Sequence, residues 1–423
     1  QAIAFLTYVK NHSKTRKRFL IVVPPSLLFN WQNELEQFSP KLKTAEYAGT
    51  KRDFASCKKA DVILTTYDIL RRDIKTLEAE HFETVVFDEA QTLKNHASRR
   101  TKAAHRLNRR FSLCLTGTPM ENHPGEYHTI MELALPGLMG SYDAFQKDLR
   151  EDNKTTLRRA QPFLLRRTKS AILKELPPKQ ETDLYLDMSQ EQKEIYTRTV
   201  GEVREEVLSA YQEKTKSQAG IIALAALTRL RQTCVSPELL GKPMKRPAPK
   251  IDYLSNKLSE LVEEGHSALV FSQFIGSLDC IENALLAQGL TPLRLDGSTP
   301  TPKRKQLVKA FQESETPQIF LISLRAGGVG LNLTNASYVM HVDPWWNPAV
   351  ENQASDRAHR MGQKQTVFIQ RLLMRHTVEE KIMTLKKRKQ ALFESIVNEG
   401  SSGKKGQPLI SKEDFKFLLS EEA

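Results

Sequence analysis

The strongest constraint on the fold is a set of short, nearly continuous apolar runs, Phe19–Val23, Val62–Leu64, Thr84–Phe87 and Ser112–Leu115, separated by longer mixed or helical stretches. A strand apolar on both faces must be covered on both, which is the situation of a parallel sheet flanked by helices. A second set follows at Ala268–Phe271, Pro292–Leu295, Ile319–Ile322, Tyr338–Val342 and Val367–Leu372, with helix-like connectors such as Ser277–Gln288. Two α/β lobes are the economical reading. The length agrees, because 423 residues at about 150 per domain suggest two to three domains.

Met188–Leu230, rich in Glu, Lys, Gln, Ala and Leu, reads as helices projecting from the lobes. The Pro-rich stretch Gly241–Pro249 precedes the second lobe, and Gly400–Pro408 reads as a flexible linker to a short helical tail. The expected domains are therefore lobe one over 1–180, a helical protrusion and linker over 181–250, lobe two over 251–400 and a tail over 401–423. Ala2, Ile3, Phe5, Leu6 and Val9 recur at helical spacing without a start signal, so the chain is expected to begin inside a helix.

With 39% hydrophobic and 27% charged residues, the composition is that of a folded protein and not of a disordered chain. The formal net charge of +13 favours a polyanionic partner such as nucleic acid. Cys57, Cys114, Cys234 and Cys280 lie too far apart for a CxxC pair or zinc spacing, and they read as reduced. Without a long uncharged apolar run or a signal-peptide pattern, the expectation is an intracellular protein with no membrane partner, cytoplasmic if bacterial and nuclear if eukaryotic. The basic clusters Lys14–Arg18 and Lys386–Lys389 read as solvated or DNA-facing helix ends.

Three segments carry residue types suited to chemistry. Thr84-Val-Val-Phe-Asp-Glu-Ala-Gln91 is an apolar strand ending in two acids, which places them at the carboxyl edge of a parallel sheet. An aspartate there can hold the water shell of Mg²⁺ and a neighbouring glutamate can deprotonate water; a solvated strand end or a helix N-cap fits the same letters. Leu115-Thr-Gly-Thr-Pro-Met-Glu-Asn122 offers the hydroxyls of Thr116 and Thr118 to link the acidic site to the neighbouring lobe, or is a plain turn. In Asn347–Gly362, Asn347 suits an N-cap, Pro348 the first helical position and Gly362 the stop, predicting a helix of about four turns. Gln353, Arg357 and Arg360 then share one face, as fingers for a γ-phosphate or as a solvated basic surface. The glycines of Arg325-Ala-Gly-Gly-Val-Gly-Leu-Asn332 lack the third glycine of a dinucleotide loop, and a loop approaching a phosphate or the opposite lobe fits better.

In this order, the segments resemble the Swi/Snf-type chromatin-remodelling ATPases of helicase superfamily two. The first lobe contributes Leu20-Ile-Val-Val-Pro-Pro-Ser-Leu-Leu28 with Trp31, Ile63-Leu-Thr-Thr-Tyr67, Asp88-Glu-Ala-Gln91, Leu115–Asn122 and Leu164-Leu-Arg-Arg-Thr-Lys169. The second adds Val270-Phe-Ser-Gln-Phe274, Leu295-Asp-Gly-Ser-Thr299, Arg325–Asn332, Asp343-Pro-Trp-Trp-Asn-Pro348 and Gln353-Ala-Ser-Asp-Arg-Ala-His-Arg-Met-Gly-Gln363. The resemblance implies two RecA-like lobes with parallel sheets flanked by helices, plus helical protrusions, binding ATP and Mg²⁺ between the lobes and tracking along double-stranded DNA without separating its strands. It makes Asp88 the Mg²⁺-linked acid, Glu89 the catalytic base, and Arg357 and Arg360 the arginine fingers, with Gln91 reaching across the cleft and Gln353 and Gly330 near the nucleotide. DNA-backbone contacts would fall on Ser26, Thr65, Thr66, Ser272, Gln273, Ser298, Arg325 and Trp346, groups suited to phosphate contact without base readout.

Two departures stand out. Many relatives have His where this chain has Gln91, which points to a bacterial or archaeal member. The phosphate loop GxxxxGK[ST] is absent, since the Gly-Lys pairs are Gly241-Lys242-Pro243 and Gly403-Lys404-Lys405. The expectation is a chain cut just after that loop and inactive in hydrolysis by itself. The alternatives are a non-hydrolysing DNA- or partner-binding module and a polymerase-recycling factor; the DNA-bound protein acted on, a nucleosome or RNA polymerase, is left open.

Overall fold

The computed structural model describes residues 1–117, 124–151, 156, 158–165, 167, 176–213, 215–327, 331–345, 348–394 and 417–418. The chain divides into two compact units whose bodies are Gln1–Arg166 and Arg167–Ala391.

The first unit holds strands β1 (Phe19–Val23), β2 (Thr44–Tyr47), β3 (Val62–Thr66), β4 (Phe82–Asp88) and β5 (Arg109–Leu115). Their order is β2-β3-β1-β4-β5 and every pairing is parallel. Leu20, Val22, Ile63, Val85 and Phe87 enter one core with Leu70, Ile74, Ala104 and Leu133. The alternate residues Phe19, Ile21 and Val86 are fully buried as well. Covering both faces explains the unbroken apolar letters of the central strands. Edge strand β2 buries only Tyr47, so no apolar run announces it.

The second unit holds β6 (Lys179–Leu186), β7 (Ala268–Ser272), β8 (Leu293–Leu295), β9 (Ile319–Ser323), β10 (Tyr338–His341) and β11 (Val367–Met374), in the order β6-β11-β10-β7-β9-β8, again parallel throughout. Alternation separates the faces. Ala268, Val270, Leu321, Met340 and Leu372 pack on one side with the helix residues Leu254, Leu278, Ile281 and Leu285. Leu269, Phe271, Phe320, Val339 and Ile369 pack on the other with Phe311.

Strand β6 is mostly polar, and the segment expected to be helix and linker therefore contributes an edge strand. Its eight residues pair with β11 from Lys179 opposite Val367 to Leu186 opposite Met374, and Arg371 bonds both Glu181 and, at 3.2 Å, Asp183. Ladder bonds and ion pairs form this strand instead of apolar burial, so hydropathy does not reveal it.

The expected protrusion is a pair of helices, Gln190–Glu213 and Lys216–Val235, the second opened by a capping box between Thr215 and Gln218. Val203, Val207, Ala223, Leu227 and Leu230 form a core with Met374, Val378 and Ile382, and Leu418 of the expected tail is buried in it. The basic clusters are partly structural: Lys17 pairs with Glu83 at 2.8 Å, Arg18 with Glu80, and buried Lys386 with Glu351. Among the described residues no helix is long and apolar enough to cross a membrane.

Candidate active site

Strand β4 ends at Asp88, opposite Leu115 of β5, so the residues following both strands meet at the carboxyl edge of the first sheet. Trp31, buried on the helix Leu28–Phe38, donates its indole N–H to Asp88 Oδ2 at 2.7 Å, and the Glu89 N–H donates to Oδ1 at 2.9 Å. The Tyr67 hydroxyl donates to the Asp88 carbonyl at 2.6 Å. Burial holds the Tyr67 phenol well above its ordinary range, so it stays a donor.

Glu89 has φ +51°, a left-handed conformation unusual for a residue with a side chain. Its carbonyl accepts the Thr92 N–H at 2.9 Å, opening the short turn Ala90–Leu93 that brings Gln91 round. Gln91 Nε2 donates to Glu89 Oε2 at 2.6 Å, while Gln91 Oε1 accepts the Thr116 hydroxyl at 2.7 Å. Thr116 thus serves the acidic site within its own unit, whereas Thr118 lies outside the described residues. Trp31 and Tyr67 stood in the motifs without a role; each is an aromatic with a polar handle, Tyr67 directly after β3 and Trp31 within the helix that follows β1.

Among the described residues no three His, Cys, Asp or Glu side chains gather into a metal site. Mg²⁺ carried on a nucleotide asks for less, namely one or two carboxylates with water and phosphate oxygens completing the shell. Asp88, oriented by two donors, fits that requirement.

The arginine-bearing segment of the second unit corrects the expectation of a four-turn helix. The helix is Pro348–Ser355, and Arg357 and Arg360 follow it in tight turns instead of sharing a helix face with Gln353. After the bond from the Asp356 N–H to Asn352, the pattern tightens to Arg357 on Ala354 and Gln363 on Arg360. The Arg357 carbonyl accepts the Leu333 N–H at 3.0 Å, and the Gln363 amide bonds the carbonyls of Thr334, Ala336 and Ala358. Tertiary partners have taken the carbonyls a longer helix would use. The predicted stop, Gly362, has φ +100°, which suits a residue without Cβ.

Several residues expected at the DNA backbone are committed elsewhere. Thr65 is fully buried and donates to the Tyr47 carbonyl at 2.8 Å; Thr66, also buried, caps the helix Tyr67–Arg72. Ser272 is fully buried and donates to Asp343 Oδ1 at 2.5 Å. These three hydroxyls are engaged in hydrogen bonds at the carboxyl ends of β3 and β7. Ser26 and Gln273 are half-buried, and Ser298 is exposed while donating to Asp296 Oδ1 at 2.6 Å. Gly330 and Trp346 lie outside the described residues, and of Arg325 only the backbone, in the helix Leu324–Gly327, is described.

Two parallel α/β units, one ending a central strand in a braced Asp-Glu pair and the other carrying an arginine-bearing turn, define a helicase-type protein. Residues 1–239 match the SNF2-related domain and residues 249–362 the helicase conserved C-terminal domain, and the chain belongs to the SNF2-related family. It is 36% identical to an uncharacterized ATP-dependent helicase of Mycoplasma pneumoniae, covering 93% of this chain and 39% of that protein. It is 35% identical to the putative ATP-dependent helicase/translocase YwqA of Bacillus subtilis, covering 94% and 45%. The human SWI/SNF-related matrix-associated actin-dependent regulator of chromatin subfamily A member 1 is 32% identical, covering 99% and 42%. The chain thus spans about two fifths of the length of these relatives.

Proposed function

We propose that the protein containing these residues is an ATP hydrolase stimulated by duplex DNA, which tracks along the duplex and remodels a protein bound there. The observation that supports this most directly is the hydrogen-bonded series Thr116, Gln91 and Glu89 beside Asp88. In this reading Glu89 takes the proton of the attacking water, Gln91 orients its carboxylate, and Asp88 holds Mg²⁺ through water. Bound Mg²⁺ would offset charge on the β- and γ-phosphates. Arg357 and Arg360 act on charge developing at the γ-phosphate, with Gln353 and Gly330 assigned near the nucleotide. Ser26, Gln273, Ser298, Arg325 and Trp346 are the proposed DNA contacts, the net charge of +13 supports a polyanionic partner, and the bound protein is a nucleosome or RNA polymerase in an intracellular setting.

The test is phosphate release by the full-length protein with and without duplex DNA. Stimulation is expected, and Glu89→Gln should abolish turnover while leaving DNA binding intact; turnover indifferent to DNA would reject the reading.

A second reading concerns the 423 residues by themselves, which include no GxxxxGK[ST] loop. They are proposed to grip DNA without hydrolysing ATP. Duplex binding should weaken steeply between two salt concentrations. Phosphate release by these residues above the Glu89→Gln background would refute the inactivity.

A further inference from the structure

We propose that Arg231 is a positioning residue that couples the helical hairpin to the two loops of the second unit carrying Gln273 and Trp345, and thereby sets the grip on DNA. The inference rests on the duplex-DNA reading above.

Arg231 lies on the helix Lys216–Val235 and is only 2% exposed. It donates through Nη2 to the Pro344 carbonyl and lies 3.4 Å from Asp343 Oδ2. Its guanidinium carbon stands 5.4 Å from the Phe274 ring centroid and 5.9 Å from that of Trp345. Asp343 is fully buried, and its Oδ1 accepts the Ser272 hydroxyl at 2.5 Å and the Gln273 N–H at 3.2 Å. One side chain of the hairpin therefore touches the loop after β7 through Phe274 and the loop after β10 through Asp343, Pro344 and Trp345.

Only a guanidinium combines planar donors with faces that lie against aromatic rings. An ammonium at the same place could keep the charge but not both contacts. Burial pushes Asp343 up to about 6 and pulls Arg231 below its ordinary range, so desolvation outweighs their attraction in each. A pair of that kind is a poor source of stability. Its geometry instead fixes the relative placement of three chain segments, the last of which runs directly into Trp346.

The test uses the 423-residue chain and a fluorescently labelled duplex. Arg231→Lys should weaken affinity about tenfold, read at a temperature well below the thermal midpoint of the variant so that the folded protein is compared. Combined with Gln273→Ala, its effect should be smaller than the product of the single effects; combined with Ser298→Ala, the effects should multiply. General loosening of the fold would not discriminate between the two partners. If Arg231→Lys fails to fold, Phe274→Leu removes the ring face and leaves the charges, with the same coupling expected. Unchanged affinity in a folded variant, or multiplication with both partners, overturns the inference. No duplex binding by the unaltered chain would overturn the reading of these 423 residues as a DNA grip and this inference with it, while DNA-stimulated phosphate release by the full-length protein tests the motor reading separately.

Discussion

Gln91 donates its side-chain amide to the Glu89 carboxylate at 2.6 Å while accepting the Thr116 hydroxyl at 2.7 Å. A carboxamide can give and accept at once, as a neutral imidazole can, so a His could make the same two bonds from this position. Hydrogen bonds to charged groups are worth about 1.5–3 kcal/mol, so Gln91→Leu should lower kcat roughly ten- to a hundredfold with KM for ATP little changed. Gln91→His should recover most of the rate. Steady-state phosphate release by the full-length protein at saturating duplex DNA checks both.

The left-handed backbone at Glu89 makes a separate prediction about stability. Glu89→Ala and Glu89→Gly both remove the carboxylate, but only Gly adopts φ +51° without strain. Glu89→Gly should be about 1 kcal/mol more stable than Glu89→Ala, and both should lack turnover. Urea unfolding of the two variants side by side measures the difference; equal stability would remove the strain argument.

Lys250 and Glu379 form a fully buried pair at 2.7 and 2.8 Å, and Lys250 also donates to the Val342 carbonyl. Lys250→Met leaves a buried carboxylate without its cation and should cost about 3–5 kcal/mol. Adding Glu379→Leu should recover part of that loss, limited by the Met374 N–H that Glu379 accepts at 2.8 Å. Equilibrium unfolding of the single and double variants reads this directly, and a double variant weaker than Lys250→Met would contradict it.

His341 is buried against the Phe271 ring and bonds the Ser355 hydroxyl at 2.8 Å; burial pulls it down to about 4 from 6.5. The unfolded chain takes up this proton near pH 6.5 and the folded one does not, so the stability contributed by His341 is lost as pH falls from about 6.5 towards 4. Asp343, raised to about 6, has the opposite sign, because its contribution is lost as pH rises through that value. A His341→Gln comparison isolates the first effect. The wild-type advantage should shrink by about 2 kcal/mol between pH 7.5 and pH 5 in urea unfolding. A constant offset would show that His341 does not titrate this way.

The amino-acid letters alone determined the two α/β units and the placement of Asp88 and Glu89 at a strand end. Both follow from local patterning: central strands buried on two faces are apolar at every position, and a motif's residues stand next to one another. The polar edge strands β2 and β6 escaped that pattern because pairing, not burial, forms them. Tertiary structure decided where the helix at Pro348 stops, that Thr65 and Ser272 turn inward, and that Arg231 meets Asp343 from 112 residues away. Such choices depend on which distant donor reaches which carbonyl or carboxylate, and contacts of that kind leave no periodic trace in the sequence.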